Sequence, residues 1–266
     1  MTDYYEVCDK GGREQNQDSV LCLQKGDAYL FSVADGLGGY ADSRLASLFV
    51  HEVLKELFTN DFHKEKDKDF DEEKTLDLSC SFGREDIRDD FLDYAVNVCQ
   101  DILLEYKEQS GIRDSYTTIV ILLIIGNKAQ WCHVGDSRIY YFKQGVPKER
   151  SADHSVPQML FNAGMIREDQ IRNHPDRSKL LRAVGRGDKE LQVDVSDIHE
   201  LSTGDAFLLC SDGFWEYVTE EEMEKSLRSI YTARDWITAM ETCVKDGGKD
   251  KNADNYSAVG VLIKED

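Results

Sequence analysis

Three aspartates stand where apolar runs give out. Asp35 follows Tyr29-Leu30-Phe31-Ser32-Val33-Ala34 and opens Asp35-Gly36-Leu37-Gly38-Gly39; Asp212 follows Phe207-Leu208-Leu209-Cys210-Ser211 and precedes Gly213; Asp254 and Asn255 precede the run 256–261. Carboxylates at strand ends are hard oxygen donors, which suit manganese or magnesium; no His or Cys cluster in the sequence has zinc-ligand spacing. The glycines leave room for backbone to approach an ion or a phosphate. The polar stretch Arg13-Glu14-Gln15-Asn16-Gln17-Asp18 adds a guanidinium fork that matches phosphate oxygens, and a carboxylate able to hold metal-bound water. Each motif taken singly is equally an ordinary turn or polar loop. Their occurrence together points to phosphate chemistry at a cation site.

The elements that would position these groups read as strands over 4–8, 19–24 and 29–34, then a helix over 42–57 with leucines at three- and four-residue spacing. A charged connection follows, an acidic helical link at about 60–90, and helical period returns over 84–108. Strands are expected over 116–125 and 129–134, the second meeting the strand 139–143 at the polar turn Gly135-Asp136-Ser137-Arg138, with a simple hairpin left open there. Residues 155–180 are rich in polar and punctuating residues and read as a surface insertion with short helical patterns. Strands over 191–198, 205–210 and 256–263 and helices over 219–230 and 233–244 complete the chain; Thr219-Glu220-Glu221-Glu222 is a capping-box pattern. Nine to eleven strands with short connections and four long helices predict an α+β fold, two antiparallel sheets face to face with helices outside, a four-layer α-β-β-α sandwich. A doubly wound parallel sheet is the runner-up, opposed by the irregular alternation of helix and strand and by the lack of a Gly-x-Gly-x-x-Gly or Walker sequence.

The chain has 266 residues with 32 basic and 52 acidic side chains, a formal net charge of -20, which argues against nucleic acid or an anionic membrane as partner. One domain, 1–266, is expected. Seven cysteines, mostly inside apolar runs and without a Cys-x-x-Cys pair, read as free thiols, and the first residues carry neither the basic nor the apolar region of a signal peptide. A reducing cytoplasm is the expected compartment.

Ten motifs follow one another in an order that resembles a single family: Arg13-x-x-Asn16-x-Asp18, Ala34-Asp35-Gly36-x-Gly38-Gly39, Thr117-Thr118, Val134-Gly135-Asp136-Ser137-Arg138, Asp153-His154-Ser155, Ala163-Gly164, Arg172-Asn173-His174-Pro175, Arg182-Ala183-Val184-Gly185, Cys210-Ser211-Asp212-Gly213 and Asp254-Asn255-Tyr256-Ser257. From about residue 5 to 263 the chain resembles the metal-dependent protein phosphatases of type 2C, particularly the bacterial single-domain serine/threonine phosphatases. The resemblance implies a β-sandwich flanked by helices with two manganese or magnesium ions at one end. It implies Asp35 bridging both ions, the Gly36 carbonyl on one, Asp212 and Asp254 on the other, and a third, weaker ion at Asp114. It further implies Arg13 orienting the substrate phosphate, Asp18 acting on metal-bound water, Gln17 and Asn255 as neighbours of the ligands, and 155–180 as a flap. The reaction implied is hydrolysis of phosphoserine and phosphothreonine by in-line attack of a metal-bridging hydroxide, with no phosphoenzyme. A phosphoprotein substrate, an opposing serine/threonine kinase, a signalling role, a monomeric state and no nucleic-acid or membrane partner go with it.

Three departures from the family pattern bear on the site. Gln17 stands where Glu is common, Leu37 where animal relatives often carry a His that protonates the leaving group, and Tyr116 where a small residue normally precedes the paired threonines. The alternatives weighed against the phosphatase are a catalytically weak relative that binds a phosphoprotein, and a small-molecule phosphohydrolase, which would need an enclosed pocket.

Overall fold

The computed structural model describes residues 1–38, 42–60, 87, 90–187, 191–249 and 253–265. Most of the acidic link expected at about 60–90, the start of the helix expected from residue 84, and Gly39 lie outside the described residues. Twelve strands and six α-helices are described: β1 (Thr2–Asp9), β2 (Asp18–Lys25), β3 (Ala28–Gly38), α1 (Asp42–Asn60), α2 (Phe91–Ser110), β4 (Ser115–Thr117), β5 (Ile119–Ile125), β6 (Lys128–Val134), β7 (Arg138–Lys143), β8 (Val146–Arg150), α3 (Val156–Asn162), β9 (Asp194–Val195), β10 (His199–Glu200), β11 (Ala206–Cys210), α4 (Asp212–Trp215), α5 (Glu220–Leu227), α6 (Ala233–Gly248) and β12 (Tyr256–Ile263).

Strand parity builds the layers, because successive side chains of a strand point to opposite faces. In β5, Ile119, Ile121, Leu123 and Ile125 pack with Leu30 of β3 and with Val50, Leu54, Leu92 and Ala95 of α1 and α2. The alternate residues Val120, Leu122 and Ile124 meet Phe31, Val33, Phe207, Leu209, Val259 and Val261 between the sheets. On the other side, Leu208, Ala258 and Leu262 pack with Trp215, Trp236, Ile237 and Met240 of α4 and α6. Strands apolar on both faces read as unbroken hydrophobic runs, which is what 119–125 is.

The five-stranded sheet has the order β1-β12-β11-β7-β8; the other sheet has the order β10-β6-β5-β3-β2, with β4 paired to β3 and β9 to β6. Every pairing among the described strands is antiparallel, which removes the doubly wound alternative and leaves the α-β-β-α sandwich.

Four local expectations are corrected. Asp35 does not end its strand: β3 runs on to Gly38 because Gly36, Leu37 and Gly38 pair with Thr117, Tyr116 and Ser115. The strand expected over 116–125 is broken at Thr118, whose N–H turns to the Asp35 carbonyl at 2.8 Å. Residues 129–134 and 139–143 form no hairpin, since β6 and β7 belong to different sheets and the chain crosses between them at Gly135 (φ 108°). A Cβ on Gly135 would lie 2.6 Å from the Thr118 side chain, so the crossing requires glycine. The strand expected over 191–198 is reduced to the two-residue β9 and β10, and the exposed β8 was not foreseen.

Candidate metal centre

The parity that builds the inter-sheet core also builds the site. Asp35 shares its face of β3 with Phe31 and Val33, and Asp18 lies directly opposite it on β2. At this end of the sandwich the apolar layer gives way to buried Asp18, Thr118, Ser137, Ser211 and Ser257. These groups hold one another. Thr118 Oγ1 meets Ser137 Oγ at 2.6 Å and accepts from Asp35 N–H at 3.0 Å, while Ser211 Oγ donates to Asp18 Oδ2 at 2.7 Å.

Asp212 opens α4 at the end of β11, and Gly213 beside it packs so closely that a Cβ would lie 2.0 Å from the Asn255 carbonyl oxygen. Asp254 precedes β12, and the loop carrying Arg13 closes over it. A Cβ on Gly11 would meet the Asp254 carbonyl oxygen at 2.1 Å, and Asn255 fixes the loop by donating to the carbonyls of Lys10 and Gln15 at 2.9 Å and accepting from Gln17 N–H at 2.8 Å. Gln17 places its own carbonyl on Gly36 N–H at 3.2 Å and on Ser47 Oγ at 2.6 Å. Arg13 Nη2 lies 2.8 Å from Asp254 Oδ2, both side chains about half exposed.

Asp18, Asp35 and Asp212 lie within reach of charges from one another and from Asp136 or Asp254. Desolvation, then the charges of Asp18, Asp212 and Asp136, raises the Asp35 carboxyl well above its usual range. Asp212 is raised by desolvation and by Asp136, Glu216, Asp254 and Asp18. Desolvation pushes Asp18 up to about 6 despite its hydrogen bond from Ser211. Asp136 is pushed up to about 7 by desolvation and by Asp153, with Arg138 opposing. Its backbone forms the sheet-to-sheet crossing, and sequence reasoning left it in a polar turn without assigning it to the cluster. The signal was present, since Asp136 follows an apolar run and a glycine much as Asp35 and Asp212 follow theirs.

Such a group of acids is unfavourable without a counter-charge. Asp18 Oδ1 is buried and accepts from no donor among the described residues, with the Asp35 carboxyl beside it. All the convergent donors are oxygens, so the cluster fits hard divalent cations such as manganese or magnesium.

Asp114 lies beside the end of β3, where a Cβ on Gly38 would come within 2.2 Å of its carbonyl oxygen. Its Oδ1 accepts from Tyr116 OH at 3.3 Å, and Lys107 both feels its charge and lies 4.0 Å from the Tyr116 ring centroid. Tyr116 itself faces Leu37 across the β3–β4 pairing.

At the base of the insertion, His133, His154 and Asp194 form a second group of ligand-type side chains. The two rings are stacked at 4.6 Å with 17° between their planes, so their in-plane lone pairs do not converge on one point. Their nitrogens are engaged as well: His133 Nε2 with the Ala152 carbonyl at 2.7 Å, His154 Nδ1 accepting from Gly135 N–H at 3.2 Å, and His154 Nε2 with Asp194 Oδ2 at 3.2 Å. Arg182 Nη1 already lies 3.0 Å from Asp194 Oδ1. Burial and the neighbouring His133 pull His154 down to about 4, so its ring is neutral and acts as a clasp.

The family model described as protein phosphatase 2C matches residues 11–248. The serine/threonine protein phosphatase PstP of Mycobacterium tuberculosis is 28% identical over 239 residues, covering 90% of this chain and 41% of that protein, so the chain spans well under half of that relative. The serine/threonine phosphatase stp of Listeria innocua is 28% identical over 241 residues, covering 90% of this chain and 88% of the relative. Among solved structures, Mycobacterium tuberculosis PstP/Ppp superposes with a TM-score of 0.77 at 26% identity over 99% of both chains. The catalytic domain of PstP in complex with two manganese ions gives 0.75 at 25% identity, again over 99% of both.

Proposed function

The chain belongs to the protein phosphatase 2C family, and from that premise we propose that it is a metal-dependent phosphatase that hydrolyses phosphoserine and phosphothreonine in proteins. The observation that carries this reading is the convergence of carboxylates from both sheets, Asp18 and Asp35 from one, Asp212 and Asp254 from the other, beside the Arg13 guanidinium.

Asp35, Asp212 and Asp254, with the Gly36 carbonyl, would hold two manganese or magnesium ions. When bound, such ions act as Lewis acids toward the phosphate and lower the pKa of water. A third, weaker ion would find a carboxylate at Asp114, beside Gly38, and another at Asp136, whose charge acts on Asp35 and Asp212. Asp18 Oδ1, which has no donor among the described residues, would accept a hydrogen bond from the attacking water. Arg13 orients the phosphate. Its pair with Asp254 is half exposed and worth roughly 1 kcal/mol or less, so it is released at little cost. Leu37 offers no proton for the leaving group.

We place the protein in the cytoplasm, as a monomer that opposes a serine/threonine kinase in signalling. Supporting this, the six cysteines among the described residues are free, and no described helix is long and apolar enough to cross a membrane. Release of phosphate from a phosphothreonine peptide, compared with EDTA, magnesium and manganese, tests the reading: metal-restored release is expected. No release with any metal from folded protein would overturn it in favour of a phosphoprotein-binding module.

A further inference from the structure

The insertion between β8 and β9 is fastened to the five-stranded side of the molecule through a ladder of alternating charges around one indole ring. Arg138, at the start of β7 and 3% exposed, grips Asp153 with both ends of its fork, Nε to Oδ1 and Nη2 to Oδ2 at 2.7 Å. Its guanidinium lies over Trp215 at 3.5 Å. Glu220 comes next: its Oε1 lies 3.8 Å from Arg138 Nη1 and accepts from Tyr140 OH at 3.1 Å. Arg172, from the insertion, closes the ladder. Its Nη2 donates to Glu220 Oε1 and Oε2 at 3.0 and 2.9 Å and its Nη1 to the Val218 carbonyl at 3.0 Å, and its guanidinium stands 5.6 Å from the same indole.

Trp215 carries this arrangement to the acid cluster. Its Nε1 donates to the Asp136 carbonyl at 2.9 Å, and it ends the single-turn α4 that Asp212 begins. The ring is 2% exposed, so a shift in its position is passed on to what it touches. One indole thus touches the backbone of Asp136 and closes the turn of helix that carries Asp212.

We propose that Arg172 is a positioning residue for the metal centre: by clasping Glu220 and the Val218 carbonyl it seats the insertion against Trp215, and so holds Asp136 and Asp212 at the separation a divalent cation between them requires. The planar fork is what the position demands. A lysine would keep the charge but could not serve the carbonyl and both carboxylate oxygens in one plane. The proposal rests on the metal-dependent reading above. It differs from a purely structural role, in which loss of Arg172 would lower stability and leave cation affinity alone.

The experiment is calorimetric titration of EDTA-treated, desalted full-length protein with manganese chloride, with the thermal midpoint recorded alongside, for wild type, Arg172→Lys, Arg172→Met and Glu220→Gln. The weakest manganese-binding step is expected to loosen about tenfold in Arg172→Met and Glu220→Gln, a typical coupling between linked sites, with Arg172→Lys between them and wild type. Unchanged manganese binding in the folded variants would overturn the proposal, whatever their midpoints. If Arg172→Met fails to fold, Arg172→Lys and Glu220→Gln decide. Absence of manganese binding by the wild type would overturn the metal-dependent reading itself, together with the proposal built on it.

Discussion

Replacing Asp136 by asparagine should stabilise the metal-free protein. In the fold its carboxyl is pushed up to about 7 from the 3.8 of an unperturbed aspartate, chiefly by desolvation and then by Asp153. A folded pKa above the unfolded one means that the native state holds the proton more tightly. The native state therefore keeps its full stability below pH 3.8 and loses it as pH rises toward 7. At 1.36 kcal/mol per unit, the carboxyl lowers stability by about 4 kcal/mol at pH 8, and by less than half of that at pH 5, where the fold holds the proton and the unfolded chain does not. Asparagine keeps the shape and carries no charge. With some of the gain lost to rearrangement, the variant in EDTA at pH 8 should melt about 5 to 15 °C above wild type, and the advantage should fall to less than half at pH 5. Manganese should reverse the order, because wild type gains the free energy of binding and the variant gains less. The assay is thermal unfolding by circular dichroism at both pH values, with and without the cation. A variant no more stable than wild type in EDTA at pH 8, or equally stabilised at both pH values, would refute the argument that this carboxylate is held against its own solvation.

Asp212→Asn should abolish turnover of a phosphothreonine peptide and weaken manganese binding in calorimetry while leaving the far-ultraviolet spectrum intact; near-normal activity would remove Asp212 from the ligand set. Arg13→Ala should raise KM about tenfold, the worth of a charge-assisted hydrogen bond, with kcat little changed, since phosphate binding is shared by ground and transition states. An unchanged KM in steady-state kinetics would refute that role. Gln17→Glu adds a charge beside Gly36 and Asp18 and should lower the manganese concentration for half-maximal activity; an identical metal requirement would remove the explanation of that position. His51 is buried between Ser19 and Ser32 at 2.7 and 3.0 Å, and burial pulls its pKa down to about 3. The unfolded chain takes up this proton below about 6.5 while the fold does not, so this group removes about 2 kcal/mol of stability between pH 6.5 and 5. Urea titrations of wild type and His51→Gln at pH 7 and 5 should show a smaller loss in the variant, and equal losses would refute it.

Much of the layer order was legible because burial on both faces writes unbroken apolar runs, as at 119–125, and because the helices carry period in their leucines. The seats of Asp35, Asp212 and Asp254 were legible for the same reason, since charge stands out where such a run stops. What could not be read depends on partners remote in sequence. Whether β3 stops at Asp35 is decided by Thr117 and Tyr116, which pair with Gly36 and Leu37. Whether 134–138 turns back or crosses is decided by which sheet receives β7, and the apolar pattern of β7 is the same in either case. Asp136 is hidden in that crossing, and the Arg13–Asp254 pair joins residues at opposite ends of the sequence.

The place of β12 between β1 and β11 has a consequence for how the molecule is made. Thr2 pairs with Ile263, so the first described strand waits for the last before it has a neighbour in its sheet. Until then β1 is unpaired and the apolar β11 presents an open edge, the kind of surface that chaperones cover and that aggregation exploits. Asp254 arrives only with that closing strand. A nascent chain therefore carries an incomplete acid cluster, and the centre is assembled by the same late event that zips the sheet.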